Sequence, residues 1–270
     1  MTGNCAGGES LKPIDLATAE SMKFIEGTMS VQSVSVLEVG AGNGDLSYAM
    51  MQSGARVRAV DYSEEAVAAA RLKGVDARQA NFLDYQDEPF DVVLFTRSLH
   101  HIHPLEKAVR KAAELLKPAG RLLIEEFGAE LVDDATLNWL NGWLLEIAPA
   151  QHDANQQDAN QQDATQHDAK GPHSQHDRHR AKTESCESWH RHHFEDHKIS
   201  DSASVLRSLT EAFKLQPIQT VPYLYRYAID SLPKNYKGYK ALARMFAEEK
   251  ELLEKGILKP IGFYVVGNRK

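Results

Sequence analysis

The chain is short of cysteine, of long apolar runs and of positive charge, and each shortage removes a class of protein. Only Cys5 and Cys186 occur among 270 residues. Both fall in stretches that read as unstructured, so neither a disulfide framework nor a cysteine-based metal site is expected, and a reducing, intracellular setting follows. No apolar run approaches the roughly 18–20 residues that cross a bilayer, and Met1 to Ser10 is polar and glycine-rich, unlike a signal peptide. The expectation is a soluble, cytoplasmic protein with no membrane partner. Lys and Arg number 31 against 38 Asp and Glu, a formal net charge of -7. No segment supplies the concentrated basic stripe of a nucleic-acid groove, so the expected partner is a small molecule.

What is there is enough for a full core, with 42% hydrophobic and 26% charged residues. After a flexible tail (1–10), residues 11–128 read as a ligand-binding core. A helix over Ile14 to Gly27 leads into alternating strands and helices. The strands are Val34 to Val39, Val57 to Val60, Val75 to Gln79, Phe90 to Phe95 and Arg121 to Phe127. The helices between them are Asp45 to Ser53, Glu64 to Lys73 and Leu105 to Leu116, with Ser63 as an N-cap and Gly54 and Gly74 as stops. Phe90-Asp91-Val92-Val93-Leu94-Phe95 is nearly continuous apolar sequence, as in the middle of a parallel sheet covered on both faces. Parallel strands need crossover helices, so the fold class is α/β, a doubly wound, seven-stranded, mostly parallel Rossmann-like sheet.

Residues 129–200 break the alternation and read as a lid insertion. Asp133 to Ile147 is helical and rich in leucine and tryptophan, Trp143 included. Gln151 to Lys170 repeats a five-residue unit, and five matches neither helical nor strand periodicity. Residues 151–188 are therefore expected to be disordered, with order resuming near Trp189. Residues 201–270 return to the core with a helix over Asp201 to Phe213, a sixth strand over Leu215 to Tyr227, an added helix over Tyr236 to Lys255 and a final antiparallel strand over Lys259 to Gly267. Nine histidines between His152 and His197 suggest metal affinity. A hydrated linker accounts for them more simply, and no metal site is assigned.

The most telling stretch is Val36-Leu37-Glu38-Val39-Gly40-Ala41-Gly42-Asn43-Gly44-Asp45, a buried strand running into a glycine turn with a helix behind it. The spacing is tighter than the Gly-x-Gly-x-x-Gly pyrophosphate fingerprint, which suits a ligand without phosphate. Glu38 would repel a phosphate and favour a cation. Asp61, closing the second strand, can accept both hydroxyls of a ribose. Together with Asn81-Phe82, Phe90 to Val93 and Leu99-His100-His101-Ile102, these residues resemble the class I S-adenosylmethionine-dependent methyltransferases of the small-molecule type, closely over Val34 to Phe127 and loosely beyond. The resemblance implies S-adenosylmethionine as cofactor. It makes the turn from Glu38 through Gly40, Ala41, Gly42, Asn43 and Gly44 the contact surface for the methionine part, Asp61 the ribose clamp and Tyr62 a wall to adenine. Asn81 and Phe82 become adenine-edge contacts, and Thr96 a contact near the donor's amino group.

Methyl transfer is a displacement on an activated sulfonium, so alignment, exclusion of water and removal of a proton from the acceptor are what remain for side chains. His100 and His101 follow the fourth strand, and an imidazole has a suitable resting pKa. Glu125 and Glu126 end the fifth strand, where they can orient such a histidine or hold a cationic acceptor. The segment is similar to natural-product sugar O-methyltransferases in which a histidine of this pair and an acid after the next strand are the suspected base and partner. His100 with Glu126 is the favoured pair, with His101 as second candidate. Arg97, Glu125, Trp143, Tyr223, Tyr225 and Arg226 are candidate acceptor contacts, the guanidinium of Arg226 suiting a carboxylate or aromatic acceptor. Phe95-Thr96-Arg97-Ser98 lacks the acid that metal-dependent catechol methyltransferases place after this strand. The Asn-Pro-Pro-aromatic turn of DNA amino-methyltransferases is also missing. The expected activity is metal-independent methylation of a small molecule at a hydroxyl or carboxyl oxygen or an amine. The competing reading is an inactive donor-binding regulator whose His-rich loop recruits a partner or metal.

Overall fold

The computed structural model describes residues 11–147 and 184–270. The expected tail, Cys5 and the five-residue repeat lie outside the described residues. In chain order the elements are α1 (Pro13–Thr28), β1 (Ser35–Val39), α2 (Asp45–Gln52), β2 (Arg56–Asp61), α3 (Glu64–Leu72), β3 (Asp76–Gln79), β4 (Phe90–Thr96) and α4 (Leu105–Glu114). They continue with β5 (Leu116–Phe127), α5 (Asp134–Ile147), α6 (Cys186–His190), α7 (Ser202–Ala212), β6 (Phe213–Leu215), β7 (Gln219–Val221), α8 (Tyr236–Glu254) and β8 (Gly262–Arg269). The sheet order is β3-β2-β1-β4-β5-β8-β6, with β7 also beside β8. β1 to β5 run parallel, and β8 is antiparallel to β5, β6 and β7.

Strand periodicity sorts the core into two layers. Val93, Phe95, Leu122 and Ile124 face α4 and α7, whereas Val92, Leu94 and Leu123 face α1 and α2. Leu94 and Phe95 have no exposed surface, and burial of each such side chain contributes about 1.5–3 kcal/mol. A separate apolar cluster joins α5, Trp189, the turn at Tyr223 to Ala228 and α8 to Leu16 of α1 and to Phe127 and Ala129 at the C-terminal end of β5. This cluster is the cap over that edge of the sheet.

Three expectations change. The sixth strand is two short pieces, both on β8, and it ends at Val221; Leu224–Ala228 is a 3-10 turn. The cause is Glu249 of α8, whose carboxylate accepts the backbone N–H groups of Tyr223 (2.6 Å), Leu224 (2.8 Å) and Tyr225 (2.9 Å). Those donors are turned inward and are lost to any sheet partner. Second, residues 184–188 are structured: Glu184 exchanges two hydrogen bonds with Asn141, and Ser185 caps α6, which contains Cys186. Third, Leu116 leaves α4 and pairs with Phe90, after which the ladder slips so that Arg121 meets Val92.

Among the described residues no helix is long and apolar enough to cross a membrane. Burial pushes the Glu249 carboxyl up to about 7 against the pull of its three donors. Glu249→Ala strands three buried N–H groups, and a loss of at least about 3 kcal/mol is expected, read as the unfolding midpoint in urea; an unchanged midpoint would show that the turn holds itself.

Candidate functional site

Strand order reverses between β1 and β4, and open α/β sheets leave a crevice at the C-terminal ends of such strands. The glycine turn leaves β1 there. Gly40 and Ala41 donate to the carbonyl of Val60 at 2.7 and 3.4 Å, which ties the turn to β2. Gly40, Gly42 and Gly44 all have left-handed backbones, with φ of 70, 54 and 74°. They are glycine for different reasons. A Cβ on Gly40 would lie 2.4 Å from Ser98 Cβ, and one on Gly44 would lie 2.7 Å from Ala70 Cβ of α3. A Cβ on Gly42 would meet nothing within 4 Å. Gly40 and Gly44 therefore serve internal packing, and Gly42 alone fronts open space. Ala41 is half-buried and Asn43 exposed at the tip of the same turn.

Asp61 ends β2 half-buried, with Oδ2 accepting from Gly42 N (2.8 Å) and Oδ1 from Ser63 N (2.9 Å). Each oxygen keeps a lone pair for a further donor. Glu38 is 1% exposed; its oxygens accept from Ser47 Oγ at 2.5 Å and Thr96 Oγ1 at 3.2 Å. It forms no ion pair among the described residues, and burial pushes its carboxyl up to about 7. A buried acid with hydroxyl partners only, beside an open glycine, fits a cationic ligand that carries a diol. Tyr62, 61% exposed, follows Asp61. Asn81 is exposed and caps its own turn through Leu83 N at 3.0 Å. Phe82 departs from expectation, because its ring packs edge-on against Phe95 in the core. Its ring is thus a core group, not an adenine contact.

β4 and β5 bring the second set together. His100 is buried, and its Nδ1 lies 2.5 Å from Glu126 Oε2. Glu126 Oε1 accepts from the backbone N–H groups of Leu99 (2.9 Å) and His100 (3.3 Å). With Glu126 accepting at Nδ1, the lone pair falls on Nε2, which makes no hydrogen bond among the described residues. His101 stacks obliquely on His100 with ring centres 4.2 Å apart, and Phe127 meets His100 edge-on at 5.1 Å. Tyr223 stacks on Phe127 at 4.4 Å. His193, unassigned from sequence, adds to this wall: Nδ1 donates to the Trp189 carbonyl at 2.8 Å and Nε2 accepts from the Tyr227 hydroxyl at 3.1 Å. Burial pushes His193 down to about 4, so it is neutral. The segment carrying it is held to the site by Ser200 N donating to the His100 carbonyl at 2.9 Å.

Glu125, 1% exposed, is enclosed by protein groups: Ser21 Oγ (2.5 Å), Arg97 Nη1 (2.9 Å) and Arg226 Nη2 (2.5 Å). Burial opposes its ionisation, but the two guanidiniums, Arg226 foremost, win and hold its carboxyl below the usual range. It positions arginines and has no room for an acceptor. Arg226 is buried, not on a strand face. Tyr225 is core, edge-on to Phe246. Trp143 packs under Arg244 of α8 and donates to Glu248 at 3.4 Å, so it builds the cap. Ser21 was legible as a polar residue on the buried stripe of α1; Ser47 and Ser98 carried no such signal. Among the described residues no three of His, Cys, Asp and Glu are grouped to hold a metal ion.

Residues 37–124 match the family described as Methyltransferase domain. Curated relatives include a ubiquinone biosynthesis O-methyltransferase of Idiomarina loihiensis, 33% identical over 152 residues, covering 52% of this chain and 58% of that protein. Another of that name, from Xylella fastidiosa, is 35% identical over 129 residues, covering 44% and 52%. The chain thus spans about half the length of the curated relatives it matches. Among solved structures, an S-adenosylmethionine-dependent methyltransferase of Mesorhizobium loti superposes with a TM-score of 0.55 at 14% identity, over 93% of this chain and 98% of that one. The N-methyltransferase NodS of Bradyrhizobium japonicum, in complex with S-adenosylhomocysteine, gives 0.50 at 12%, over 96% and 88%. At such identities the shared property is the fold.

The glycines separate by substitution. Gly40→Ala is expected to lower the unfolding midpoint sharply, whereas Gly42→Ala pays only the left-handed backbone cost of about 1–2 kcal/mol yet weakens S-adenosylhomocysteine binding in calorimetry. Equal effects on both readouts at both positions would refute the division.

Proposed function

We propose, from the match of residues 37–124 to the methyltransferase domain family, that the chain is a class I S-adenosylmethionine-dependent enzyme that methylates a hydroxyl oxygen of a small molecule, with His100 rather than a metal-bound group taking the proton. The observation that carries this reading is the His100–Glu126 pair, 2.5 Å apart and buried at the end of β4. When bound, the donor supplies a methyl carbon on a positively charged sulfur. Gly42 and Asp61 face its ribose and methionine parts, and Glu38 offsets its positive charge. A hydroxyl becomes nucleophilic as its proton leaves, so a base aligned with it lowers the barrier. Glu126 holds Nδ1 as the protonated nitrogen and directs Nε2 at the acceptor, and it stabilises the imidazolium that forms. Phe127, Tyr223 and neutral His193 are an aromatic wall that keeps water from competing. The printed name of the curated relatives, O-methyltransferase, supports oxygen as the target.

The test is radiolabelled methyl transfer from S-adenosylmethionine into a small-molecule extract of the source organism, paired with donor calorimetry. Binding with no transfer would favour the regulator, and no binding sinks both. His100→Ala is expected to leave S-adenosylhomocysteine affinity unchanged and to lower turnover about 100-fold or more; Asp61→Ala should instead abolish most donor binding. Unchanged turnover in His100→Ala removes the base.

Donor affinity should also depend on pH through Glu38. Its carboxyl stands at about 7 because of burial, so below that pH the free protein holds it neutral. A cationic ligand selects the carboxylate, binding releases a proton, and affinity weakens as pH falls, by at most about tenfold per unit. Glu38→Gln should flatten the slope, and a flat wild-type profile between about pH 8 and about pH 5.5 contradicts the assignment.

A further inference from the structure

Beside the donor crevice two guanidiniums are only partly used by the protein. Arg97 and Arg226 share one carboxylate oxygen, Glu125 Oε1, at 2.9 and 2.5 Å. Glu126 is committed to His100 and two backbone N–H groups, and Glu38 to two hydroxyls. Neither acid takes a hydrogen bond from either guanidinium among the described residues, which leaves Arg97 with unspent N–H groups. The Arg226 side chain is 8% exposed, and its Nε has no hydrogen-bond partner among the described residues, a costly state for a buried donor. Arg97 is 33% exposed and spends a single side-chain nitrogen on Glu125. Its backbone is left-handed, with φ of 57°, a strain that L residues hold where function requires the side chain in one place. Its peptide N–H donates to the Glu125 carbonyl at 2.7 Å, which locks that conformation. Three residues on stands His100.

Unspent guanidinium N–H groups three residues from the base are a ready partner for an anionic group on the acceptor. We propose that the methyl acceptor is a hydroxy acid, its carboxylate held by the free edge of Arg97 with Arg226 behind, and its hydroxyl aimed at His100. This rests on the methyltransferase reading above. A guanidinium with Glu125 on one nitrogen has its remaining N–H groups set in a fork that matches a carboxylate. The acceptor hydroxyl gives its proton to His100 Nε2, its oxygen forms the bond to the methyl carbon as the carbon–sulfur bond breaks, and the products are a methoxy acid and S-adenosylhomocysteine. The acid group is unchanged, so the product remains an anion.

The experiment fractionates the labelled extract on an anion exchanger near neutral pH and repeats it with Arg97→Gln and Arg97→Lys. Label retained as an alkali-stable anion is expected, falling about tenfold or more in Arg97→Gln and recovering in part in Arg97→Lys. In Arg97→Lys, which keeps a cation beside Glu125 and Glu38, S-adenosylhomocysteine affinity and the unfolding midpoint should stay close to wild type, and the Arg97→Gln loss is read as turnover per donor-bound protein. Labelled product, counted apart from the cationic unreacted donor, in neutral or cationic fractions overturns the proposal, and so does an alkali-labile product, which is a methyl ester of the acid itself. If Arg97→Gln keeps its unfolding midpoint but loses product affinity as much as turnover, the guanidinium holds the donor's own carboxylate and the proposal fails. Donor binding without label in any fraction fails the methyltransferase reading first, and this inference with it.

Discussion

Glu125 is the carboxylate on which the site's architecture depends. It lies on β5 with almost no solvent contact and joins Arg97 after β4, Ser21 of α1 and Arg226 of the turn after β7. A charge so placed costs several kcal/mol in desolvation unless its partners are close and its lone pairs are used. All three partners are at 2.9 Å or less. The cap turn depends on the same economy, since Arg226 follows directly on the three N–H groups that Glu249 collects. Glu249 of α8 shapes the turn, the turn delivers Arg226, and Arg226 with Ser21 holds Glu125. Sheet, α1 and cap are joined through two buried acids.

Adjacent acids on one strand then do separate work. Successive side chains of a strand point to opposite faces, so Glu125 and Glu126 lead to different neighbours, the arginines and His100 respectively. β4 divides its labour likewise: Thr96 donates to Glu38 at the donor crevice while Arg97 turns to Glu125. Between them the two strand ends keep the Glu38 carboxyl within the electrostatic reach of the Arg97 guanidinium without an ion pair between them. Direct pairing would satisfy both and leave nothing for ligands to complete.

Much of this was legible in the sequence wherever one local pattern decided the outcome. Continuous apolar sequence at Phe90 to Phe95 marked a central strand, and Leu-His-His followed on the next strand by Glu-Glu marked the pair that the structure brings to 2.5 Å. Long-range partners decided the rest. Tyr223, Tyr225 and Tyr227 alternate as strand residues do, yet Glu249, some two dozen residues on, takes the N–H groups a strand would need. Gly40 and Gly44 look like Gly42 in sequence, and only the proximity of Ser98 and Ala70 tells them apart. Arg226 read as an acceptor contact on a strand, and nothing local showed that its counterion lies a hundred residues away on another strand. Phe82 was assigned to a ligand by a motif, where the volume beside Phe95 needed an aromatic ring.

The electrostatics of the crevice argue for a site poised for both ligands. Glu38 forms no ion pair among the described residues and its carboxyl stands at about 7, so the free protein avoids part of the cost of a bare buried charge by holding a proton. Arg97 has no such recourse, because a guanidinium does not deprotonate in a protein. It keeps a third of its side chain in water instead. One group answers burial by titration and the other by exposure. Under the proposed reading each remedy would be withdrawn when its ligand arrives: the proton would leave Glu38, and the water would leave Arg97. The two events act on neighbouring charges of opposite sign, since Arg97 already favours the ionised form of Glu38. An anion drawn to Arg97 weakens that help, while a cation at Glu38 replaces it, so the crevice is best filled by the cationic donor first and the acceptor second.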